Sequence, residues 1–177
     1  MSDTTWQRGC VQVYTGDGKG KTTAAVGLAI RAAGAGLRVY FTQFCKGQDT
    51  GERVAFERFP DLITWSHSGS RAFIMGPPTP EDRAQAQETL AALRGALTSG
   101  EYHIVIADEF NVATDLGLVS VAEAEALLDA RPEGVELVLT GRRAAPEIIQ
   151  RADLVTEMLA VKHPYQSGLQ ARRGIEY

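Results

Sequence analysis

Cysteine is scarce in this chain. Its 177 residues hold two, Cys10 and Cys45, both in strand-like runs and without a C-x-x-C pair. That excludes a disulfide framework and a cysteine-built zinc site, and it reads as two reduced core thiols in a cytoplasmic protein. Basic residues are not in excess either: 18 Lys and Arg against 22 Asp and Glu leave a net charge of −4, which argues against a general nucleic-acid-binding role. No apolar run is long enough to span a bilayer. The opening Met1-Ser2-Asp3-Thr4-Thr5-Trp6 lacks the basic stretch and apolar core of a secretory signal. Repeats and low-complexity tracts are missing. Histidines number only three, and neither His67 nor His163 has a partner identifiable from the sequence, so each reads as a solvated loop histidine. The remainder, 44% hydrophobic and 23% charged, is the makeup of a soluble globular domain long enough to bury a core.

What the chain does have is Thr15-Gly16-Asp17-Gly18-Lys19-Gly20-Lys21-Thr22-Thr23. A β-branched run, Cys10-Val11-Gln12-Val13-Tyr14, leads in, and an alanine-rich helical run leads out to about Ala33. Strand, glycine-rich turn and Gly-Lys-Thr at a helix start form a phosphate-binding loop. Glycines let backbone N–H groups curl around phosphate oxygens, and the helix N-terminus adds unpaired N–H groups. Lys21 supplies a point charge, and the Thr22 hydroxyl is placed to reach a magnesium ion. The usual spacing is G-x-x-x-x-G-K-[ST]. Counting back from Gly20, its first glycine would fall on Thr15; it is at Gly16 instead, so the loop is one residue short and the cradle smaller.

The rest of the sequence alternates strands with helices. Residues 1–8 read as a polar tail and 9–177 as a single domain. Strands are expected over 37–44, 62–65, 103–109, 135–140 and 154–161, with helices over 52–59, 81–99, 122–130 and from Pro146. Residues 66–80 form the least regular stretch, either a binding loop or a loop whose Phe73-Ile74-Met75 tucks into the core. Such alternation implies right-handed crossovers and an α/β, P-loop NTPase-like three-layer fold with a mostly parallel central sheet. Ligands of such sheets bind beyond the carboxyl ends of the strands. Two features stand there besides the loop. Asp108-Glu109 closes the apolar strand His103-Ile104-Val105-Ile106-Ala107, and with Thr22 it matches the pairs that hold magnesium in phosphate-loop proteins. The plainer account is that the two carboxylates cap the next helix, but the phosphate loop that precedes them favours the metal reading. Arg142 follows Thr140-Gly141, where a guanidinium would meet a triphosphate; Arg143 reads as a surface residue. Arg31 lies about two and a half turns along the helix from Lys21, beyond assured phosphate contact.

These residues resemble the P-loop type of ATP:cob(I)alamin adenosyltransferase (the CobA/CobO/BtuR type). The resemblance runs from about Gly9 to Tyr177. It is carried by the shortened loop, by Gln43-Phe44-Cys45-Lys46-Gly47, Asp108-Glu109-Phe110-Asn111 and Leu139-Thr140-Gly141-Arg142, and by Asp153-Leu154-Val155-Thr156-Glu157-Met158, Val161-Lys162-His163-Pro164 and Arg173-Gly174-Ile175-Glu176-Tyr177. It implies that cob(I)alamin or a precursor corrinoid attacks C5′ of ATP, forming a cobalt–carbon bond and releasing triphosphate. It also implies ATP bound with its triphosphate reversed relative to ordinary P-loop proteins. On that footing Gly16, Asp17, Gly18, Lys19, Gly20, Lys21, Thr22 and Thr23 hold triphosphate, Arg142 and more remotely Arg31 contact ATP, and Lys21, Glu109 and Arg142 act on the leaving group. Thr22, Asp108 and Glu109 hold Mg2+ (or Mn2+). A homodimer, a flavodoxin or reduced flavin as reductant, and no nucleic-acid or membrane partner are implied as well. Some members use a Phe-x-Trp pair after the third strand to displace the lower axial ligand of cobalt. Here that region reads Gly69-Ser70-Arg71-Ala72-Phe73-Ile74, the pair is absent, and Phe73 is the substitute candidate.

Two other classes fit parts of the pattern. A nucleoside or small-molecule kinase shares the loop and the Asp-Glu strand, but thymidine kinases of the zinc-bearing type need a cysteine-rich lobe that two isolated cysteines cannot supply. A nucleotide switch or a corrinoid carrier would bind without turnover, the carrier through an exposed histidine such as His67. Triphosphate, ADP or neither as product separates the three.

Overall fold

The computed structural model describes residues 8–45, 50–67 and 76–176, and of His67 only the backbone. Six parallel strands form one sheet in the order β3-β2-β4-β5-β1-β6. They are β1 (Val11–Thr15), β2 (Val39–Gln43), β3 (Ile63–His67), β4 (Ile104–Asp108), β5 (Glu136–Thr140) and β6 (Leu154–Glu157). The helices are α1 (Lys21–Gly34), α2 (Gly51–Phe56), α3 (Pro80–Thr98), α4 (Phe110–Asp115), α5 (Val121–Asp129) and α6 (Pro146–Arg151), with a 3-10 turn at Pro164–Ser167.

The strand sequences explain the layering. Successive side chains of a strand point to opposite faces. In β4, Ile104 and Ile106 join one core cluster, while Val105 and Ala107 join the other. In β5, Leu137 and Leu139 face one way and Val138 the other. Both faces must therefore be covered, which is why these strands are apolar throughout. One face packs against the small side of α1, where Ala25, Ala29, Ala32 and Ala33 let the helix lie close, and against Phe56 of α2. Phe41, Phe56 and Trp65 form an aromatic triad there, with ring centroids 5.2 to 5.8 Å apart. The other face is filled by Leu93 and Leu97 of α3, Phe110 and Ala113 of α4, Leu127 of α5 and Ile148 of α6. The expected three-layer arrangement is thus present, with a sheet that is parallel throughout.

The strands and helices differ from the sequence reading at their ends, and α4 differs in kind. The strand expected over 154–161 stops at Glu157, because its partner β1 ends at Thr15, opposite Glu157. Met158 makes one further contact, its N–H donating to the Thr15 carbonyl at 2.9 Å, and the chain then leaves the sheet. The helix α4, not anticipated as an element, begins directly after Glu109. Ser66 and His67 belong to β3. The proposed polar tail falls almost wholly outside the described residues, as do Lys46, Gly47 and most of the 66–80 loop, Phe73 included.

Both helices α3 and α5 open on reciprocal caps. Ser120 Oγ accepts from the Glu123 N–H at 3.2 Å while Glu123 Oε2 accepts from the Ser120 N–H at 2.8 Å, and Thr79 and Asp82 repeat the pattern. The Ser120 hydrogen bonds hold the Glu123 carboxyl below its ordinary range. A carboxylate depressed in the folded state stabilises above its unfolded pKa, and that contribution fades as pH falls through the folded value. Ser120→Ala is expected to lower the unfolding free energy by about 1 kcal/mol at neutral pH. In urea titrations the gap from the parent should narrow in acid, once Glu123 is protonated in both proteins.

Candidate active site

The carboxyl ends of β1, β4 and β5 converge on one cleft. Its volume is about 570 Å³, and its wall includes Lys21, Thr22, Glu109, Arg142 and His163. Five residues, 16–20, connect β1 to α1, so the shortened loop read from the sequence is the loop that forms. Its glycines answer to packing as well as to ligand access. Gly16 has φ +92°, and a Cβ there would lie 2.5 Å from the Met158 carbonyl oxygen. A Cβ on Gly18 would stand 2.6 Å from the same oxygen and 2.7 Å from that of Leu159. The Gly18 N–H donates to the Met158 carbonyl at 2.6 Å. The segment leaving β6 thus presses on the phosphate loop along its backbone.

Lys21 starts α1 and is 8% exposed. Its ammonium donates to the Gly16 carbonyl at 2.7 Å and to the Gly18 carbonyl at 2.6 Å. Burial pulls its pKa below the ordinary lysine value, Glu109 opposes that, and Arg142 adds to it. The position beside Lys21 therefore already feels a second cation. Asp17 is exposed on the loop, and Thr23 joins the cleft wall.

Asp108 is the most enclosed charge of the site, fully buried at the end of β4. Thr22 Oγ1 donates to its two oxygens at 2.9 and 3.2 Å, Gln43 Nε2 donates to Oδ2 at 2.7 Å, and Thr140 Oγ1 donates to Oδ1 at 2.5 Å. The parallel pairing of Gln43 with Asp108 sets the amide beside the carboxylate. Glu109 follows in the left-handed region, φ 58°, and its N–H donates to Thr140 Oγ1 at 3.0 Å. That turn re-aims its carboxylate into the cleft wall. Gly141 repeats the need for space: at φ +129°, a Cβ would meet the Val112 nitrogen at 3.0 Å.

Arg142 lines the cleft, as its place after β5 suggested, whereas Arg143 pairs with Asp115 at 3.0 Å. The cleft wall does not include Arg31. It lies in the last turn of α1, where its charge acts on Tyr14. The sequence alone does not single out Gln43 and Thr140 as Asp108 partners, and it reads His163 as a solvated loop histidine. It is a cleft residue, and its Nδ1 accepts from the Tyr165 N–H at 3.2 Å. The His-Pro signal that opens the 3-10 turn was available for it. Cys45, also beside Glu109, has its thiol pushed up to about 12 by burial and by that carboxylate. Both cysteines are free thiols.

A glycine loop on a strand–helix turn, a lysine at the helix start and a buried aspartate on a neighbouring parallel strand define a P-loop protein of NTPase-like α/β fold. The crystal structure of the RadB recombinase matches it with a TM-score of 0.56, covering 89% of this chain and 78% of that one, at 15% identity; this is a likeness of fold. The chain belongs to the ATP:corrinoid adenosyltransferase family BtuR/CobO/CobP, which matches residues 7–177. A corrinoid adenosyltransferase of Pseudomonas aeruginosa is 36% identical over 172 residues, 97% of this chain and 85% of that protein. One from Sinorhizobium sp is 34% identical over 180 residues, 100% of this chain and 84% of that protein. One from Escherichia coli K12 is 32% identical over 179 residues, 97% of this chain and 87% of that protein.

The two kinds of glycine in this region respond oppositely to a methyl group. Gly18→Ala drives a Cβ into backbone and is expected to cost roughly 1–3 kcal/mol. Gly27→Ala meets nothing within 4 Å in the middle of α1 and should stabilise by about 0.5–1 kcal/mol. Thermal and urea unfolding of the two variants measure both signs.

Proposed function

We propose that the chain transfers the 5′-deoxyadenosyl group of ATP to the cobalt of cob(I)alamin or a cob(I)yrinic acid-type corrinoid and releases triphosphate. Two observations carry this reading: the chain matches its family over nearly its whole length, and Lys21, Thr22, Glu109 and Arg142 share one cleft. The cobalt lone pair attacks C5′, a cobalt–carbon bond forms, and the C5′–oxygen bond breaks with its electrons leaving on triphosphate. No protein base is required, because the nucleophile carries no proton. The protein's work is placement of ATP and stabilisation of the charge that grows on the leaving group. The backbone of residues 16–20, with Lys21, Thr22 and Thr23, cradles the triphosphate, Lys21 exchanging its two carbonyl partners for phosphate oxygens. Arg142, in the same cleft wall, adds a second cation.

The donor set suits a hard cation. Thr22 and Asp108 offer oxygen ligands, and Glu109 stands beside them. Among the described residues, no group of three or more His, Cys, Asp or Glu is placed to hold a metal, so Mg2+ (or Mn2+) would share its shell with phosphate oxygens and water. When bound, it would neutralise charge on the departing triphosphate. Gln43 and Thr140 would orient Asp108 for that task. Phe73 remains the candidate for the corrin side.

A homodimer is proposed as well. Among the described residues strand β6 pairs only with β1, and Leu154 and Val155 on it, with Leu159 and Val161 in the segment that follows, leave 41 to 93% of their surface exposed. A cytoplasmic site and a flavodoxin or reduced-flavin electron donor complete the reading; among the described residues no helix is long and apolar enough to cross a membrane.

The deciding experiment is an anaerobic assay with chemically reduced cob(I)alamin, ATP and magnesium. Adenosylcobalamin with one triphosphate per cobalt–carbon bond is the expected result. ADP without a change in the spectrum of cob(I)alamin or of incomplete corrinoids would overturn the reading in favour of a kinase. In the same assay Lys21→Ala should reduce turnover roughly 100-fold. For Asp108→Asn, the magnesium concentration giving half-maximal rate should rise about tenfold or more; an unshifted titration would remove Asp108 from the metal site.

A further inference from the structure

The last described residues come back over the phosphate loop. Gly174, with φ +76°, turns the chain so that Gly174, Ile175 and Glu176 line the cleft beside Lys19 and Lys21. A loop side chain holds them there. Lys19 Nζ donates to the Ile175 carbonyl at 2.8 Å and to Glu176 Oε1 at 3.2 Å. Arg172 fixes the carboxylate from within the segment: its backbone N–H and Nε donate to Oε2 at 2.8 and 3.2 Å, and a terminal guanidinium nitrogen donates to Oε1 at 3.1 Å. Arg172 above all, with help from Lys19, draws the Glu176 carboxyl down to about 2, so it is a carboxylate throughout the physiological range.

The two lysines of the loop are therefore in different circumstances. Lys21 is buried and bonded to two loop carbonyls that a phosphate would replace. Lys19 is exposed, and its charge is already matched by a carboxylate 157 positions away in the chain. The segment it holds also differs in chemistry from the loop. Ile175, 57% exposed, joins Val26 and Ala55 as the aliphatic part of a lining that is otherwise glycine, polar or charged. Phosphates gain nothing from such a surface, whereas the apolar face of a nucleoside does.

We infer that Lys19 is a positioning residue and not a phosphate ligand: it latches residues 174–176 across the cleft, where Ile175 supplies a wall for the nucleoside end of ATP. This rests on the nucleotide reading of the cleft given above. It replaces the direct phosphate contact that the loop sequence suggests for Lys19. A wall contact acts on ATP alone, while a phosphate ligand acts equally on ATP and on inorganic tripolyphosphate.

Calorimetric affinities of the full chain for ATP and for tripolyphosphate, both with magnesium, test this in the parent, Lys19→Met, Glu176→Gln and the double variant. Each single change should weaken ATP roughly fivefold, the scale of an exposed ion pair. The double should match a single change instead of multiplying the two, as interacting partners do. Tripolyphosphate affinity should move by no more than about twofold, within the scatter of uncoupled sites. Equal loss of both ligands in Lys19→Met, additive losses in the double, or tighter ATP binding by Glu176→Gln would overturn the latch as a nucleoside-wall device. Docking is read separately from the rate of trypsin cleavage after Arg172 and Arg173, which should rise in Lys19→Met; an unchanged rate would refute the latch itself. A Lys21→Ala control that binds both ligands like the parent would mark failure of the nucleotide reading, and the cleavage rates would still decide the latch.

Discussion

A single buried carboxylate organises this molecule. Asp108 is wholly shielded from solvent, and an ionised group in such a place is tolerated only when its oxygens are fully engaged. Its donors come from Thr22 at the head of α1, Gln43 at the end of β2 and Thr140 at the end of β5. Four separate parts of the chain are fixed to one point. Thr140 carries the constraint one step further by accepting the Glu109 N–H, which fixes the left-handed turn that opens α4. Loss of any one donor would leave a buried acceptor short of a partner, the costly direction of the hydrogen-bond asymmetry. The apolar layers hold the sheet together, and this polar knot sets where the strands stop and the chemistry begins.

Much of this was legible because the signals are local. The loop motif, the alternation of elements and the apolar run before Asp108 each occupy one stretch of chain, and each reports on its own neighbourhood. Arg142 could be placed because strand ends are where parallel sheets present their ligand sites. What escaped depends on register and return paths. Gln43 looks like any strand-end residue until β2 is paired with β4. Met158 looks like the interior of a strand until the end of β1 cuts β6 short. His163 and Ile175 join the cleft only because the chain doubles back after the sheet is complete. Arg31 stands in the last turn of α1, since a helix rises about 1.5 Å per residue and carries it away from the loop that ends where Lys21 begins the helix.

The likeness to RadB and the family match speak to different levels. The likeness at 15% identity is one of fold alone, and a fold does not by itself set an activity. Three features of this chain sit on top of that fold. They are a loop of five residues, a segment after β6 packed against that loop's glycines, and a returning segment over the cleft. None of them alters the central strands, which is why the fold alone would not have separated an adenosyl transfer from a phosphoryl transfer.

The hydrogen bonds of Lys21 have a bearing on what the loop will admit. Its ammonium donates to the Gly16 and Gly18 carbonyls, so a group that took it over would have to replace those two acceptors. A visitor gains entry only by offering that cation something better than two carbonyl oxygens. An anionic phosphate oxygen does so, since bonds between two charged partners are about twice as strong as neutral ones. A free nucleoside of the right shape does not. On the proposed reading, the loop would therefore be keyed to charge before form, and would sort adenine compounds by the end that carries no adenine.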